Sequence, residues 1–276
     1  MTSSHGFAPG KLILSGEYAV VFGHRGIAVP LDLGIDVHHQ PNSTPLTIDG
    51  ITDPLIVDYV SGIAKLCGVT TGTLKIESQV PVGKGLGSST ALVIAMTRCL
   101  VGDQYKKALE IEDTVNPGHS GLDFSTIWEN RPVVFKKGQS VDPLPRTFPE
   151  LAKATLIDTG RPNETTPELV AWVKSRQTEV QSSLDAIGEC AQRLIAGEDL
   201  PTVVRDHHRA QVSLGVVTEE AHDLIAEIEA AGGSAKVVGA GAKSGGCGMV
   251  LAIDIDKQTL DPLLTQRTMT AFPLHP

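Results

Sequence analysis

The chain has 276 residues, and several features that would mark a membrane, secreted or nucleic-acid-binding protein are missing from it. No apolar run is long enough to cross a bilayer. Residues 1–6 have neither the basic start nor the apolar stretch of a secretory signal, so we expect a cytoplasmic protein without a membrane partner. The formal net charge of -9 disfavours a nucleic-acid-binding protein, which needs a basic face.

Cysteine is also scarce. The four cysteines lie far apart and form no CxxC pair, so the pattern predicts buried thiols for at least three of them. The adjacent pairs His38–His39 and His207–His208 are weak candidates for a metal site. Neighbouring side chains point apart on a strand and diverge on a helix, which favours solvated or capping roles for these histidines.

Short strands and helices are predicted in both halves of the chain, without a steady alternation between them. This mixture favours an α+β fold in two layers over a doubly wound parallel sheet. The predicted elements include a strand at residues 19–22 and one long helix over residues 166–194. A proline-rich passage at residues 142–149 predicts a boundary between a domain of residues 1–148 and one of residues 149–276.

Residues 81–92 carry the most functional information. Gly83, Gly85 and Gly87 alternate, and Ser88-Ser89-Thr90 follow immediately before an apolar helical run. Glycines let the backbone approach a phosphate closely, and a helix N-terminus directs free N–H groups at an anion. The three hydroxyls are expected to cap the helix and to offer ligands to a nucleotide or Mg²⁺. A purely structural glycine turn explains this segment alone equally well.

Familiar phosphate loops fit this segment less well. In a Walker loop the lysine is followed directly by Ser or Thr, whereas Lys84 is followed by Gly85. A dinucleotide fingerprint would open the first strand–helix unit of the chain and would have wider glycine spacing. The segment therefore predicts a different kind of nucleotide loop, or none.

Four other segments contain residues that are typical of catalytic or binding sites, although each has an ordinary structural explanation when taken alone. They are Ala8-Pro9-Gly10-Lys11 with the following Ser15-Gly16-Glu17-Tyr18, Glu112, Ser120-Gly121-Leu122-Asp123, and the glycine-rich segment 239–248. Together with residues 81–91, and in this order, they resemble the GHMP small-molecule kinase superfamily. Within it the segment from residue 8 to residue 30 is most similar to the mevalonate kinases. The likeness spans nearly the whole chain.

The resemblance implies a two-domain GHMP kinase fold, with a ribosomal S5-like N-terminal domain and a ferredoxin-like C-terminal domain. It also implies an enzyme of isoprenoid precursor synthesis that uses ATP and Mg²⁺ to phosphorylate the primary hydroxyl of mevalonate. The residues implied to bind ATP are Pro81, Gly83, Lys84, Gly85, Leu86, Gly87, Ser88, Ser89 and Thr90.

The resemblance assigns further roles outside this loop. Ser89 and Glu112 are implied to hold Mg²⁺. Asp123 is implied to orient the acceptor hydroxyl and accept its proton, with Lys11 stabilising the developing charge. The residues implied to contact the acceptor are Glu17, Tyr18, His24 and Gly241.

The sequence leaves three questions open, namely the acceptor, the catalytic role and the oligomeric state. Tyr18 stands where mevalonate kinases usually carry histidine, and phosphomevalonate kinases often have Gly-Glu-Tyr there. The acceptor is therefore mevalonate, phosphomevalonate, or another small molecule such as homoserine or a sugar. A phosphorylated acceptor needs extra cations, for which Arg25, Lys75 and Lys243 are candidates. A non-catalytic ligand sensor is disfavoured because the implied Lys, Ser, Glu and Asp are all present, and a homodimer is left open.

Overall fold

The computed structural model describes residues 2–274, and its first half is built on a six-stranded sheet. The strands are β1 (Ser4–Ser15), β2 (Gly26–Pro45), β3 (Thr47–Asp49), β4 (Thr71–Ser78), β5 (Val133–Phe135) and β6 (Asp142–Pro143). The long β2 pairs in antiparallel fashion with β1, β4 and β5, and the short β3 runs parallel to β4. In this sheet β1 runs along residues 27–39 of β2.

Helices cover one face of this sheet. They are α1 (Pro54–Leu66), α2 (Ser88–Val101), α3 (Tyr105–Val115) and α4 (Leu122–Glu129). The start of α1 follows from its local sequence, because Asp53 caps it by accepting the Leu55 N–H at 2.9 Å and Pro54 takes the first helical position. The apolar α2 is buried against β1.

The second half contains a four-stranded antiparallel sheet in the order β10-β7-β9-β8. Its strands are β7 (Thr155–Asp158), β8 (Ser234–Val237), β9 (Met249–Ile253) and β10 (Thr270–Pro273). The helices of this half are α5 (Thr166–Ser175), α6 (Gln177–Ala196), α7 (Leu200–Leu214), α8 (Glu219–Ala230) and α9 (Lys257–Gln266). The mixture of helices with mainly antiparallel sheets confirms the predicted α+β class.

Two predicted elements are wrong. Residues Ala19–Phe22 form a 3₁₀ helix instead of a strand, because Gly16 and Tyr18 adopt positive φ and turn the chain. The predicted long helix is divided at Arg176, which leaves helical geometry. The Arg176 guanidinium lies over the Trp172 ring at 4.4 Å and bonds Glu179 at 2.9 Å, and these contacts accompany the break.

The hydrophobic core is continuous between the two halves. Cys190, Leu194 and Val203 of the second half belong to the same buried cluster as residues of β1, β2 and α2. The predicted boundary at 148/149 falls in the chain between β6 and β7 and stays a prediction. The four cysteines are buried free thiols, as predicted. Within residues 2–274, no helix combines the length and apolarity that a membrane crossing requires.

The close packing of β1 on α2 makes a stability prediction. A Cβ at Gly6 would lie 2.2 Å from the Ala95 carbonyl oxygen and 2.4 Å from the Cys99 nitrogen, both of them helix backbone atoms. We expect Gly6→Ala to lower the free energy of unfolding by about 1–3 kcal/mol in urea titrations.

The matched control is Gly62→Ala in α1, where an added Cβ meets no atom within 4 Å. This change is expected to leave stability unchanged or to raise it by up to about 1 kcal/mol, because alanine favours helix. Equal stability of the two variants would contradict the contact between β1 and α2.

Candidate active site

The centre of the candidate site is the side chain of Lys11, which β1 carries and which is only 2% exposed. Its Nζ atom lies 3.0 Å from Asp123 Oδ1 and donates a hydrogen bond of 3.0 Å to the Gly85 carbonyl oxygen. The Lys11 backbone N–H donates to the Leu86 carbonyl oxygen at 2.9 Å. The structure therefore brings the two implied catalytic residues together beside the glycine loop.

Asp123 reaches this position because α4 begins immediately before it. Gly121 adopts φ +95° at the N-cap, and Asp123 lies in the first turn, where a negative side chain interacts favourably with the helix dipole. The Asp123 side chain is 36% exposed. A buried ammonium is thus paired with a carboxylate that is open to solvent.

The alternating glycines give the loop its shape, since Gly83, Gly85 and Gly87 all have positive φ. A Cβ at Gly87 would lie 2.9 Å from the Lys11 Cγ atom. A Cβ at Gly85 would lie 2.5 Å from the Val238 carbonyl oxygen. Glycine is therefore required both by the backbone conformation and by the close approach of two neighbours.

The predicted hydroxyl cap of α2 is wrong. The N-cap residue is Gly87, which has no side chain, and Ser88 already lies inside the helix. No side-chain hydrogen bond caps this end of α2 in the described structure. The backbone N–H groups of the first turn remain available to an anion, which is the property expected of a phosphate-binding helix start.

A polar cluster lies at this helix start. Thr90 Oγ1 donates to Glu112 Oε1 at 2.7 Å, and Asn116 Nδ2 donates to Glu112 Oε2 at 2.9 Å. Ser89 Oγ donates to Asn116 Oδ1 at 2.9 Å and lies 2.7 Å from the Tyr59 hydroxyl. Ser89 and Glu112, the two implied metal ligands, are therefore bridged by Asn116.

The Glu112 carboxyl is buried among neutral hydrogen-bond donors. Burial raises its pKa, and the nearby charge of Asp123 acts in the same direction, while the bonds from Thr90 and Asn116 oppose the rise. Hydroxyl, carboxamide and carboxylate oxygens are hard ligands that suit Mg²⁺. The donor set fits this ion, which would also relieve the repulsion between the two carboxylates.

The second glycine segment packs directly on the first. A Cβ at Gly239 would lie 2.9 Å from the Gly85 Cα atom, and one at Gly248 would lie 3.2 Å from the Lys84 carbonyl oxygen. The Lys84 Nζ atom lies 2.6 Å from Asp158 Oδ1 at the end of β7. The Lys84 side chain thus joins the loop to the second half, and its implied contact with ATP stays a prediction.

Glu17 is fully enclosed and belongs to an ion-pair network. Lys236 of β8 donates to Glu17 Oε1 and to the Ile13 carbonyl oxygen, and His207 Nε2 of α7 lies 3.0 Å from Glu17 Oε2. The Glu17 side chain is 2% exposed. These contacts give Glu17 a structural role between the two halves, and its implied contact with the acceptor stays a prediction.

The charge of Glu17 is coupled to folding. Burial alone would raise its pKa, but the charge of Lys236 and the neighbouring His207 hold the pKa at about 2. Because the folded-state pKa lies below the ordinary value of 4.5, the resulting stabilisation is complete above pH 4.5. It is lost as the pH falls through that range toward 2. Burial lowers the pKa of His207, so its ring is neutral at pH 7.

The other implied acceptor residues also contact the second half. The Tyr18 hydroxyl donates to the Ala240 carbonyl oxygen at 2.5 Å, and burial raises its pKa. His24 Nε2 lies 3.2 Å from Asp185 Oδ1 of α6. A Cβ at Gly241 would lie 2.1 Å from the Val216 carbonyl oxygen. Contacts of Tyr18, His24 and Gly241 with an acceptor stay predictions.

Sequence reasoning missed Asn116 and Tyr59 as members of the polar cluster. The sequence Asn116-Pro117-Gly118 is typical of a turn and by itself indicates no binding role. The position of Asn116 four residues after Glu112 is a usable signal, because residues at that spacing share one helix face. Tyr59 lies on α1 and carried no comparable signal.

Comparisons with known proteins find relatives of this chain. The family model for the GHMP kinases N terminal domain matches residues 55–121. A mevalonate kinase of Archaeoglobus fulgidus is 30% identical over 270 residues, covering 87% of this chain and 89% of the relative. A mevalonate kinase of Pyrococcus horikoshii is 30% identical over 301 residues, covering 89% of this chain and 87% of the relative. The likeness extends over most of each protein.

Solved structures share the fold. The Methanococcus jannaschii mevalonate kinase has a TM-score of 0.79 at 20% identity, covering 99% of this chain and 98% of that one. The Streptococcus pneumoniae phosphomevalonate kinase in complex with phosphomevalonate and AMPPNP has a TM-score of 0.72 at 17% identity, covering 98% of both chains. The GHMP kinase fold that the sequence predicted is confirmed.

The buried ion pair between Glu17 and Lys236 leads to a prediction about stability. We expect Glu17→Gln to lower the free energy of unfolding by about 3–5 kcal/mol at pH 7, because it leaves the Lys236 ammonium buried without its counter-charge. The double variant Glu17→Gln with Lys236→Met is expected to recover part of this loss. Urea denaturation at pH 7 measures both effects.

The control is Glu77→Gln, which removes one partner of an exposed pair with Lys75 and is expected to leave stability unchanged. A Glu17→Gln protein as stable as the control would show that the buried pair does not support the contact between the halves.

Proposed function

This chain belongs to the GHMP kinase superfamily, and from that membership we propose that it transfers the γ-phosphoryl group of ATP to the primary hydroxyl of mevalonate. The observation that carries the proposal is the placement of the buried Lys11 ammonium 3.0 Å from Asp123 and 3.0 Å from the Gly85 carbonyl oxygen. A cation, a carboxylate and a glycine loop at a helix start are the parts that phosphoryl transfer needs.

Asp123 orients the acceptor in this proposal. A carboxylate paired with an ammonium is a firm hydrogen-bond acceptor for the mevalonate hydroxyl, and it takes the hydroxyl proton late in the reaction. Lys11 holds the Asp123 carboxylate in position and offsets the charge on the transferring group. Phosphoryl transfer depends mostly on such positioning and charge neutralisation.

The glycine loop and the start of α2 hold the phosphates. The residues that we assign to ATP are Pro81, Gly83, Lys84, Gly85, Leu86, Gly87, Ser88, Ser89 and Thr90. We assign Mg²⁺ to Ser89 and Glu112, with Asn116 orienting both side chains. When bound, Mg²⁺ neutralises phosphate charge during the transfer.

The contacts of Arg25, Lys75 and Lys243 support an acceptor without a phosphate group. Lys243 Nζ lies over the Trp172 ring at 4.9 Å. Lys75 pairs with Glu77 at 2.6 Å, and Arg25 donates to Gln192 at 3.2 Å. Each of the three candidate cations is engaged with a neighbour of its own. Mevalonate is therefore favoured, and phosphomevalonate remains the alternative that Gly16-Glu17-Tyr18 suggests.

A non-catalytic sensor is the second alternative. Such a protein has no need of an intact Lys11, Ser89, Glu112 and Asp123, and the arrangement of these four residues supports catalysis instead. The homodimer stays a prediction.

The first test is ADP release by the purified protein with Mg²⁺, ATP and a panel of acceptors. We expect release with mevalonate, and little with phosphomevalonate, homoserine or galactose. Asp123→Asn and Lys11→Met should each lower kcat roughly 100-fold or more, because each removes a group that acts on the reacting atoms. The control Asp261→Asn changes an exposed aspartate of α9 and should retain wild-type kcat.

Release with phosphomevalonate alone would replace the proposed acceptor. Near-normal turnover in Asp123→Asn, with turnover lost in Lys11→Met, would remove Asp123 from its role. Nucleotide binding without turnover on any acceptor would favour the sensor.

The second test concerns Mg²⁺. We expect Glu112→Gln to raise the Mg²⁺ concentration for half-maximal ADP release roughly tenfold or more, because a charged ligand is lost. The control Glu110→Gln changes a carboxylate of α3 that is 70% exposed, and it should leave this concentration unchanged. Equal Mg²⁺ dependence of the two variants would remove Glu112 from the metal site.

A further inference from the structure

Two histidines and an aspartate meet on the open face of the first sheet. His5 of β1 pairs in register with His38 of β2, and Asp36 precedes His38 by two residues on the same face. The alternate residues Gly6 and Val37 point to the opposite face, where Gly6 packs on α2. The three polar side chains therefore lie on the side of the sheet that faces away from α2.

The three side chains are already in contact. His5 Nε2 lies 2.8 Å from Asp36 Oδ1, and the rings of His5 and His38 are 4.6 Å apart with an interplanar angle of 30°. One ligand atom from each residue lies within 4.8 Å of the other two. His5 is 50% exposed and Asp36 is 37% exposed, so a metal ion can reach the cluster from solvent.

The donor chemistry selects the class of ion. Imidazole nitrogens suit borderline transition metals, whereas hydroxyl and carboxylate oxygens suit Mg²⁺. We propose that His5, Asp36 and His38 form a binding site for a borderline divalent metal such as Zn²⁺, separate from the oxygen ligands at Ser89 and Glu112. Three protein ligands leave a fourth position for water.

The sheet already holds the three residues close together, so a metal ion would require movement of the side chains only. Ligand atoms of a tetrahedral zinc lie roughly 3.4 Å apart. Side-chain rotation on a fixed backbone would therefore move His5 Nε2 and Asp36 Oδ1 apart from 2.8 Å and bring atoms up to 4.8 Å apart closer together. Binding replaces the hydrogen bond between His5 and Asp36 with two metal bonds. The His39 side chain is buried and bonds the Thr71 carbonyl oxygen at 3.1 Å, which leaves its neighbour His38 free to face His5.

Charge on the same face also favours a dication. Glu77 of β4 lies opposite Asp36 in register, and Lys75 lies opposite His38. Lys75 and Glu77 neutralise each other through a contact of 2.6 Å. Asp36 supplies the remaining negative charge at the cluster.

The test is a titration with Co²⁺, followed by displacement with Zn²⁺. The protein is freed of any histidine tag and of bound metal, and Mg²⁺ is kept in excess to occupy the oxygen-ligand site. We expect one equivalent of Co²⁺ to bind with micromolar affinity and to give the visible absorption of a site with nitrogen ligands. Zn²⁺ should abolish that absorption.

His5→Ala and His38→Ala should each weaken Co²⁺ binding by about tenfold or more, because each removes a direct ligand. The control His222→Ala removes a histidine of α8 that is 48% exposed and should bind as wild type does. Circular dichroism and Tm verify that each variant is folded. The proposal is overturned if wild type shows no saturable binding, or if His38→Ala binds as tightly as wild type.

This outcome does not depend on the proposed kinase reaction. Metal binding is read by absorption, whereas the reaction is read by ADP release in Mg²⁺. Either proposal can therefore fail while the other stands.

Discussion

The ion pair between Glu17 and Lys236 is the interaction on which the geometry of the candidate site depends. It connects the turn after β1 to β8, and Lys236 also bonds the Ile13 carbonyl oxygen on the strand that carries Lys11. Two buried charges are costly unless they are paired and well hydrogen-bonded, so this contact tolerates little displacement of either half. The position of Lys11 is fixed by the same strand.

Glycine is also required where the loop of residues 83–87 packs on the glycine-rich segment 239–248. Gly85 and Gly239 approach so closely that neither has room for a Cβ atom. The first segment also contacts Lys11 through Gly87, and Lys84 bonds Asp158 of the second half. The C-terminal half of the chain therefore packs against the glycine loop, and the shape of the loop does not depend on local turn propensity alone.

Local features and the pairing of two family motifs were predictable from the sequence, whereas the partners of Glu17 were not. The cap at Asp53 and the helix start at Ser88 follow from neighbouring residues, and the pairing of Lys11 with Asp123 was expected from the family resemblance. The contact between Glu17 and Lys236 was not predictable, because the two residues lie 219 positions apart along the chain. The 3₁₀ helix after Tyr18 was missed because an apolar run of four residues suits a strand equally well.

The continuous core has a consequence for how ligands would enter and leave. A hinge rotation that separated the halves would expose the Cys190 and Leu194 side chains and would pull Lys236 away from Glu17. Such an opening carries a large free-energy cost, so we expect exchange of bound molecules to proceed through local fluctuations of the exposed loop around Val82 and Gly83. Slow steps of a catalytic cycle would then reflect loop kinetics, with the relative orientation of the halves held constant.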